Sequence, residues 1–231
     1  MEKLSIIIPV YNEIGTIGAI LKKVKDVPLN AAKEIIIVDD ASKDGTADLL
    51  KKIKDSSIKI FFHQKNQGKG AAIRTGLKYA TGDVMLIQDA DLEYDPKEYP
   101  VLLKPILDNQ TKVVYGTRME TIKKNMSKMY KLHYFGNIFL TLVTNVLYGT
   151  KISDMETGYK VFRKEVLEGI NLRARRFDFE PEITAKILKK GYKIVEVPIG
   201  FTARSFEEGK KITWRDGVKA LFYLVRYRFF D

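Results

Sequence analysis

Two carboxylates two residues apart, Asp89 and Asp91, give the clearest chemical signal in the 231-residue chain, just after the apolar run 84–87. In an extended chain, residues i and i+2 share a face, so these two carboxylates are expected to converge on one point. Converging carboxylates without a neighbouring base favour Mg²⁺ or Mn²⁺, which need few protein oxygens when phosphates and waters complete the coordination. Glu93 joins them if the chain stays extended. The alternative is that both aspartates only cap the helix expected after Pro96.

A second polar segment, residues 9–13, follows the first apolar run. Tyr11 could cover a planar base, and Glu13 could accept hydrogen bonds from a ribose or a base. An ordinary junction between a strand and a helix explains this segment equally well.

A third polar segment begins with Asp39 and Asp40 and continues to Asp44 and Thr46. Adjacent side chains at a strand end point to opposite faces, so at most one of the first two aspartates need face a ligand. A carboxylate there can accept from the imide and amine groups of a nucleobase. Asp44 or Thr46 is explained as a cap of the following helix.

The segment 65–72 is rich in glycine and alanine, contains Lys69, and opens a predicted helix. It lacks the GxxxxGK[ST] spacing of a P-loop, which disfavours ATP hydrolysis. Small residues and two lysines, Lys65 and Lys69, at a helix N-terminus suit an anionic ligand, and close packing against the sheet explains them equally well.

The composition narrows the possible metal sites. The chain has no cysteine and two histidines, so it cannot build a site on thiolates or on several imidazoles. Any metal must therefore bind carboxylates. With 45% hydrophobic and 30% charged residues, the sequence is that of a globular protein.

The net charge of +11 is concentrated in one part of the chain. Between Lys112 and Lys151, seven basic residues accompany Glu120 as the single acidic residue. This pattern suits an anionic membrane surface or a phosphate-bearing ligand. No nucleic-acid recognition motif accompanies it, so we expect no nucleic-acid partner, and a merely solvated basic surface is the plain alternative.

Two segments could contact a membrane surface. The uncharged stretch 132–150 is long enough to span a bilayer, but its recurring polar residues favour an interfacial or core helix. The end of the chain, 214–230, mixes aromatic and basic residues as headgroup-region helices do. The alternative is a pair of ordinary helices facing the core. Helical spacing in the first stretch aligns Phe135, Ile138, Phe139, Leu142 and Val146.

Alternating strands and helices must position these residues. Continuous apolar strands separated by helices predict an α/β fold with a mostly parallel central sheet flanked by helices, and ligands bind beyond the carboxyl ends of such strands. The predicted strands are 4–8, 34–38, 58–62, 84–87 and 112–115, and the helices between them are 14–25, 46–54, 70–80 and 97–107. After residue 117 we expect a basic loop, one or two helices over 128–148, strand 159–163, helix 181–190, strand 193–197 and helix 214–230.

The ordered segments IIIPVYNE, IVDDASKDGT, NQGKGAAIRTG, GDVMLIQDADLEYDP, GTR and SDMETGYKVFRKE resemble the family-2 glycosyltransferases. Within that family the sequence is most similar to polyprenyl-phosphate sugar transferases of the dolichyl-phosphate mannose synthase type. The resemblance covers nearly the whole chain and implies a single-domain nucleotide-diphospho-sugar transferase (A-type) fold over 1–231. Residues 1–117 would form its nucleotide-sugar and metal half, and 118–231 its acceptor half with membrane-surface helices.

The resemblance also implies roles for individual residues. The nucleotide-sugar site would comprise Pro9, Tyr11, Glu13, Val38, Asp39, Asp40 and Lys69. Asp89, Ala90 and Asp91 match the family's metal and diphosphate motif, and Glu93 stands where relatives often carry Gln. Arg118, Lys123, Lys124 and Lys128 are the candidates for the acceptor phosphate, and Arg204, Lys210 and Lys211 resemble a basic loop that closes on phosphates.

The implied activity is an inverting, Mg²⁺- or Mn²⁺-dependent transfer of a hexose from GDP-mannose or UDP-glucose to a polyprenyl phosphate. A phosphate acceptor is largely dianionic at neutral pH and needs cations rather than a base. Asp154 would then orient neighbouring groups. The expected location is peripheral, at the cytoplasmic face of a membrane, with a separate membrane subunit as a candidate partner. The alternatives are a same-fold transferase with a hydroxyl acceptor, which would use Asp154 as base, and a non-catalytic surface-binding protein.

Overall fold

One seven-stranded sheet forms the centre of the molecule in the computed structural model, which describes residues 1–124, 131–203 and 214–230. Its strands are β1 (Lys3–Val10), β2 (Ala32–Asp39), β3 (Ile58–Phe62), β4 (Val84–Ile87), β5 (Val113–Thr117), β6 (Lys160–Arg163) and β7 (Ile194–Pro198). They lie in the order β3-β2-β1-β4-β6-β5-β7, and β6 alone runs antiparallel to its neighbours among these strands. The carboxyl ends of β1, β2, β4 and β5 and the amino end of β6 therefore meet at one edge.

Helices cover both faces of this sheet. They are α1 (Ile17–Asp26), α2 (Thr46–Lys51), α3 (Lys69–Tyr79), α4 (Tyr99–Leu107), α5 (Met119–Lys124), α6 (Lys131–Tyr148), α7 (Lys164–Leu167), α8 (Phe179–Lys189) and α9 (Trp214–Phe229), with a 3₁₀ turn over Pro96–Glu98. The alternation of side chains along β1 separates two buried clusters. Ile6 belongs to a cluster with Ile20 of α1 and Leu102 of α4, and Ile7 to a cluster with Ile73 of α3 and Ile183 of α8.

The predicted α/β class with a mostly parallel sheet is confirmed, and the predicted strands and helices are present. The prediction of a loop directly after residue 117 is wrong, because helix α5 begins at Met119. The short helix α7 was not predicted. Strands from both halves of the chain belong to the same sheet, so the two halves share one core.

The loops that leave β1, β2 and β4 each turn through a residue in the left-handed region. Asn12 has φ 54°, Ala41 has φ 62° and Leu92 has φ 63°. Such conformations cost free energy for Ala and Leu and concentrate at functional sites. The three turns lie at the same edge of the sheet, where the sequence predicts a ligand.

Helices α6 and α9 pack together through one face each. Leu140 of α6 lies in a buried cluster with Ala220 and Leu224 of α9, and the Tyr148 hydroxyl donates to the Leu224 carbonyl at 2.7 Å. Their other faces expose large apolar side chains, namely Phe135, Ile138, Phe139, Leu142 and Val146 on α6 and Val218, Phe222, Val225 and Phe229 on α9. No described helix combines the length and apolarity needed to cross a bilayer.

Candidate active site

A cavity of about 290 Å³ opens at the edge where the strand ends meet. Residues from both halves of the chain line it, which places the polar segments found in the sequence on one surface. The lining side chains include Pro9, Tyr11, Glu13, Asp40, Asn66, Lys69, Asp89, Ala90, Asp91, Glu93, Tyr94, Arg118, Glu156, Arg176, Phe177 and Glu180.

Asp40 lines the cavity, and hydrogen bonds fix both of its carboxylate oxygens. One carboxylate oxygen is hydrogen bonded to His63 Nδ1 at 2.7 Å and accepts from the Gln67 amide at 2.9 Å. The other oxygen accepts from the Gly68 amide at 2.7 Å. Gly68 has φ 98°, and a Cβ there would lie 2.3 Å from the Arg175 carbonyl oxygen, so only glycine fits this turn.

Two residues predicted for the nucleotide-sugar site lie elsewhere. Val38 is buried with Ile36 and Ala72 between the sheet and α3, and it does not line the cavity. Asp39 is 1% exposed, accepts from the Ser42 amide at 3.1 Å, and also lies outside the cavity lining. Alternation at the end of β2 turns Asp39 away from the face that Asp40 presents, whereas Val38 lies farther back along the strand and packs against Ala72 of α3.

The members of the carboxylate motif line the cavity, but the chain does not stay extended through the motif. Strand β4 ends at Ile87, and the left-handed turn at Leu92 interrupts the extended chain on which the expected position of Glu93 depended. The Asp91 carboxylate instead accepts from the Glu93 amide at 3.2 Å. Among the described residues no three acidic or histidine side chains form a metal-binding group.

Lys69 connects two carboxylates inside the cavity. Its ammonium lies 2.9 Å from Asp89 Oδ1 and 3.1 Å from Glu180 Oε1. Burial alone would lower the pKa of Lys69, but Asp89 and Glu180 outweigh burial and raise it well above the usual value. Lys69 therefore stays charged and offsets the negative charge of Asp89.

Arg118 and Asp154 form a tightly paired unit. The Arg118 guanidinium donates to both carboxylate oxygens, with Nε at 2.7 Å and Nη2 at 2.6 Å, and its amide donates at 2.9 Å. Asp154 is fully buried, and Asn137 of α6 donates to it at 2.7 Å. Burial would raise the pKa of Asp154, but Arg118 outweighs burial and lowers it. Asp154 does not line the cavity, which fits its expected orienting role and disfavours base function.

The other basic residues predicted to bind phosphate either do not line the cavity or lie outside the described residues. Lys123 and Lys124 lie exposed in the last turn of α5 and do not line the cavity. Lys128, Arg204, Lys210 and Lys211 lie outside the described residues.

Sequence reasoning missed two cavity carboxylates, Glu156 and Glu180. Burial, and then the charge of Glu180, raise the pKa of Glu156, while burial lowers the pKa of the nearby Lys160. Glu156 belongs to the motif SDMETGYKVFRKE, but only Asp154 of that motif was considered as a functional residue. Glu180 was missed because the predicted helix began one residue after it, whereas α8 begins at Phe179. An acidic residue in the first turn of that helix was the available signal.

Comparison with known proteins agrees with this architecture. The family model for glycosyl transferase family 2 matches residues 5–170. The chain is 31% identical to the dolichol-phosphate mannosyltransferase of Pyrococcus furiosus, over 90% of this chain and 59% of that protein. It is 30% identical to the UDP-N-acetylglucosamine–dolichyl-phosphate N-acetylglucosaminyltransferase of Methanococcus voltae, over 90% of this chain and 89% of that protein.

A solved structure shares the fold. Glucosyl-3-phosphoglycerate synthase from Mycobacterium tuberculosis, in complex with Mn²⁺, UDP and phosphoglyceric acid, matches with a TM-score of 0.75 and 17% identity, over 100% of this chain and 80% of that chain. The chain therefore belongs to glycosyl transferase family 2 and is a glycosyltransferase with the A-type fold. The resemblance to this family is confirmed.

Proposed function

We propose that this glycosyltransferase moves a hexose, with inversion, from a nucleoside diphosphate sugar to a polyprenyl phosphate, with Mg²⁺ or Mn²⁺ as cofactor. The names of the two relatives support a polyprenyl-phosphate acceptor, and they differ in the sugar. GDP-mannose and UDP-glucose are our candidate donors.

The two faces of α6 are the observation that carries the proposal. On one face, Asn137 contacts Asp154, which in turn holds Arg118 at the cavity. On the other face, Phe139 is 53% exposed and Leu142 is 58% exposed. A single helix thus joins a cation at the cavity to an exposed apolar surface. A lipid with a phosphate headgroup matches both features.

At the donor end, Tyr11, Glu13 and Asp40 would contact the nucleoside, and Asp89 and Asp91 the diphosphate. Two carboxylates fit Mg²⁺ or Mn²⁺, because the diphosphate oxygens and waters supply the other ligands. The bound ion would supply stabilisation of the negative charge that grows on the leaving phosphate. Lys69 remains charged beside Asp89 and limits the negative charge that the donor meets there.

At the acceptor end, the nucleophile is a phosphate oxygen and needs no base. Arg118 uses Nε and Nη2 on Asp154, and Nη1 has no hydrogen-bond partner among the described residues. We assign Nη1 to the acceptor phosphate. Because Asp154 fixes the plane of the guanidinium, little conformational entropy is lost when the phosphate binds.

The exposed faces of α6 and α9 would lie on a membrane surface, which we take to be its cytoplasmic face. The apolar side chains would enter the headgroup region, and basic residues of α9 such as Arg226 and Arg228 would meet anionic lipids. A separate membrane subunit could share this surface.

The membrane proposal predicts binding to anionic vesicles that weakens at high salt. Phe139→Glu combined with Leu142→Glu should weaken vesicle binding by about tenfold or more, because two apolar side chains are replaced by charges. Co-sedimentation at low and high salt measures this. Leu107→Glu is the matched control, since Leu107 is 48% exposed on α4, far from these faces in the chain. Equal binding by all three proteins would contradict the proposal.

Glu156 supports a second candidate, transfer to a sugar hydroxyl. It lines the cavity, and burial and Glu180 raise its pKa toward the range where a carboxylate can act as base. A base must be ionised, so the rate of this alternative should rise with pH through that raised pKa. Glu156→Gln should then lower the rate by roughly 10²–10⁴-fold and remove the rise. For a phosphate acceptor we expect a smaller loss and an unchanged pH–rate profile, measured with saturating donor.

One screen tests the proposed function. GDP-mannose, UDP-glucose and UDP-N-acetylglucosamine are each incubated with a short polyprenyl phosphate and Mn²⁺, and products are identified by mass. We expect one donor to yield a polyprenyl-phosphate hexose. Donor consumption without any lipid product would overturn the acceptor assignment. Neither transfer nor hydrolysis would instead favour the non-catalytic surface-binding alternative.

A further inference from the structure

Glu180 carries a buried oxygen that nothing in the described structure satisfies. The residue lies in the first turn of α8, is 5% exposed and lines the cavity. Its Oε1 pairs with Lys69 at 3.1 Å, whereas its Oε2 has no hydrogen-bond partner among the described residues. A buried carboxylate oxygen without a donor is costly, so this position favours a ligand that brings one.

A second unsatisfied oxygen lies in the same cavity. Glu156 Oε1 is buried without a partner among the described residues. Glu156 and Glu180 both line this cavity, and the charge of Glu180 helps to raise the pKa of Glu156. This part of the cavity therefore offers unsatisfied hydrogen-bond acceptors, which would attract hydroxyl groups.

The order of groups along the sheet edge indicates which part of a donor reaches this place. Asp40 follows β2, Asp89 follows β4, and Glu156 precedes β6, which is the next strand of the sheet. With the nucleoside at Asp40 and the diphosphate at Asp89, the sugar extends toward Glu156 and Glu180. Lys69 links the diphosphate position to the sugar position, because it contacts both Asp89 and Glu180.

Resting on the proposed function, we infer that Glu180 accepts a hydrogen bond from a hydroxyl group of the transferred sugar and thereby contributes to the choice of sugar. Glu156 lines the same cavity and offers a second contact to the same ring. A site that binds a hydroxyl through a buried acceptor discriminates strongly against an analogue that lacks it, because the acceptor is then left unpaired.

Glu180→Gln tests the inference with little change of shape, since the amide oxygen can still accept from Lys69. Binding of GDP and GDP-mannose, and of UDP and UDP-glucose, is measured calorimetrically with Mn²⁺. We expect the variant to weaken binding of the matching nucleotide sugar by roughly 10-fold or more, the loss of one hydrogen bond to a charged group. Binding of the free nucleoside diphosphate should stay unchanged. Glu168→Gln, an exposed residue, is the control.

Deoxy analogues of the donor identify the hydroxyl without changing the protein. The wild type should bind one deoxy donor about as weakly as Glu180→Gln binds the parent, and the two changes together should cost little more than either alone. Equal losses for nucleotide and nucleotide sugar would overturn the inference, as would wild-type binding indifferent to every deoxy substitution. If the wild type bound neither nucleotide, the proposed function would fail first, and the inference with it.

Discussion

Asp91→Asn is expected to abolish detectable sugar transfer, a loss of about 10³-fold or more for a site that stabilises leaving-group charge. The substitution removes a carboxylate charge from the cavity where a divalent ion and a diphosphate would meet. The fold should survive, because Asp91 is only half-buried and an asparagine oxygen can still accept from the Glu93 amide. The measurement is transfer with Mn²⁺, together with Mn²⁺-dependent nucleotide binding by calorimetry.

Asp95→Asn is the matched control, since Asp95 lies on the same loop, caps the 3₁₀ turn and does not line the cavity. It should transfer sugar at the wild-type rate. Full wild-type activity in excess EDTA would refute the role of a metal. Normal Mn²⁺-dependent nucleotide binding by Asp91→Asn would refute the assignment of Asp91.

Arg118→Lys is expected to lower transfer to polyprenyl phosphate by roughly 10²–10³-fold, the cost of one lost electrostatic stabiliser. A lysine keeps a positive charge beside the buried Asp154 but cannot donate to both of its oxygens and to a phosphate in one plane. Nucleotide binding should be nearly normal, because Arg118 would act on the acceptor. Steady-state kinetics at varied acceptor concentration and nucleotide calorimetry separate these effects.

Lys123→Gln gives the comparison, since Lys123 is exposed and outside the cavity lining, and it should lose far less activity. Asp154→Asn should also reduce transfer, because it weakens the hydrogen bonds that position Arg118. The shape of the pH–rate profile should stay that of the wild type. If Asp154→Asn instead removed a pH-dependent limb while Arg118→Lys stayed nearly normal, the phosphate acceptor would be wrong.

The sequence was sufficient for the elements that apolar periodicity defines. Buried strands such as β1 and β4 are continuous apolar runs, so their existence and their parallel pairing follow from local pattern. The carboxyl ends of these strands also predicted which loops meet. The residues Tyr11, Asp40, Asp89 and Arg118 accordingly line one cavity.

Local sequence pattern could not predict which side chains distant in sequence contact each other. Arg118 and Asp154 were predicted with separate roles, but they share three hydrogen bonds across 36 positions in the chain. Lys69 was predicted near an anion, and the structure adds that Asp89 and Glu180 both contact it. The left-handed conformation of Leu92 could not be predicted either, because leucine rarely adopts it.

The central claim is that the acceptor is a polyprenyl phosphate, and comparing a phosphate with a hydroxyl acceptor tests it most directly. A polyprenyl phosphate and the corresponding polyprenol, equal in chain length, are offered separately with Mn²⁺ and the donor that binds, and lipid products are identified by mass. We predict a hexose on the phosphate and no product from the polyprenol. Glycosylated polyprenol with no product from the phosphate would contradict the account.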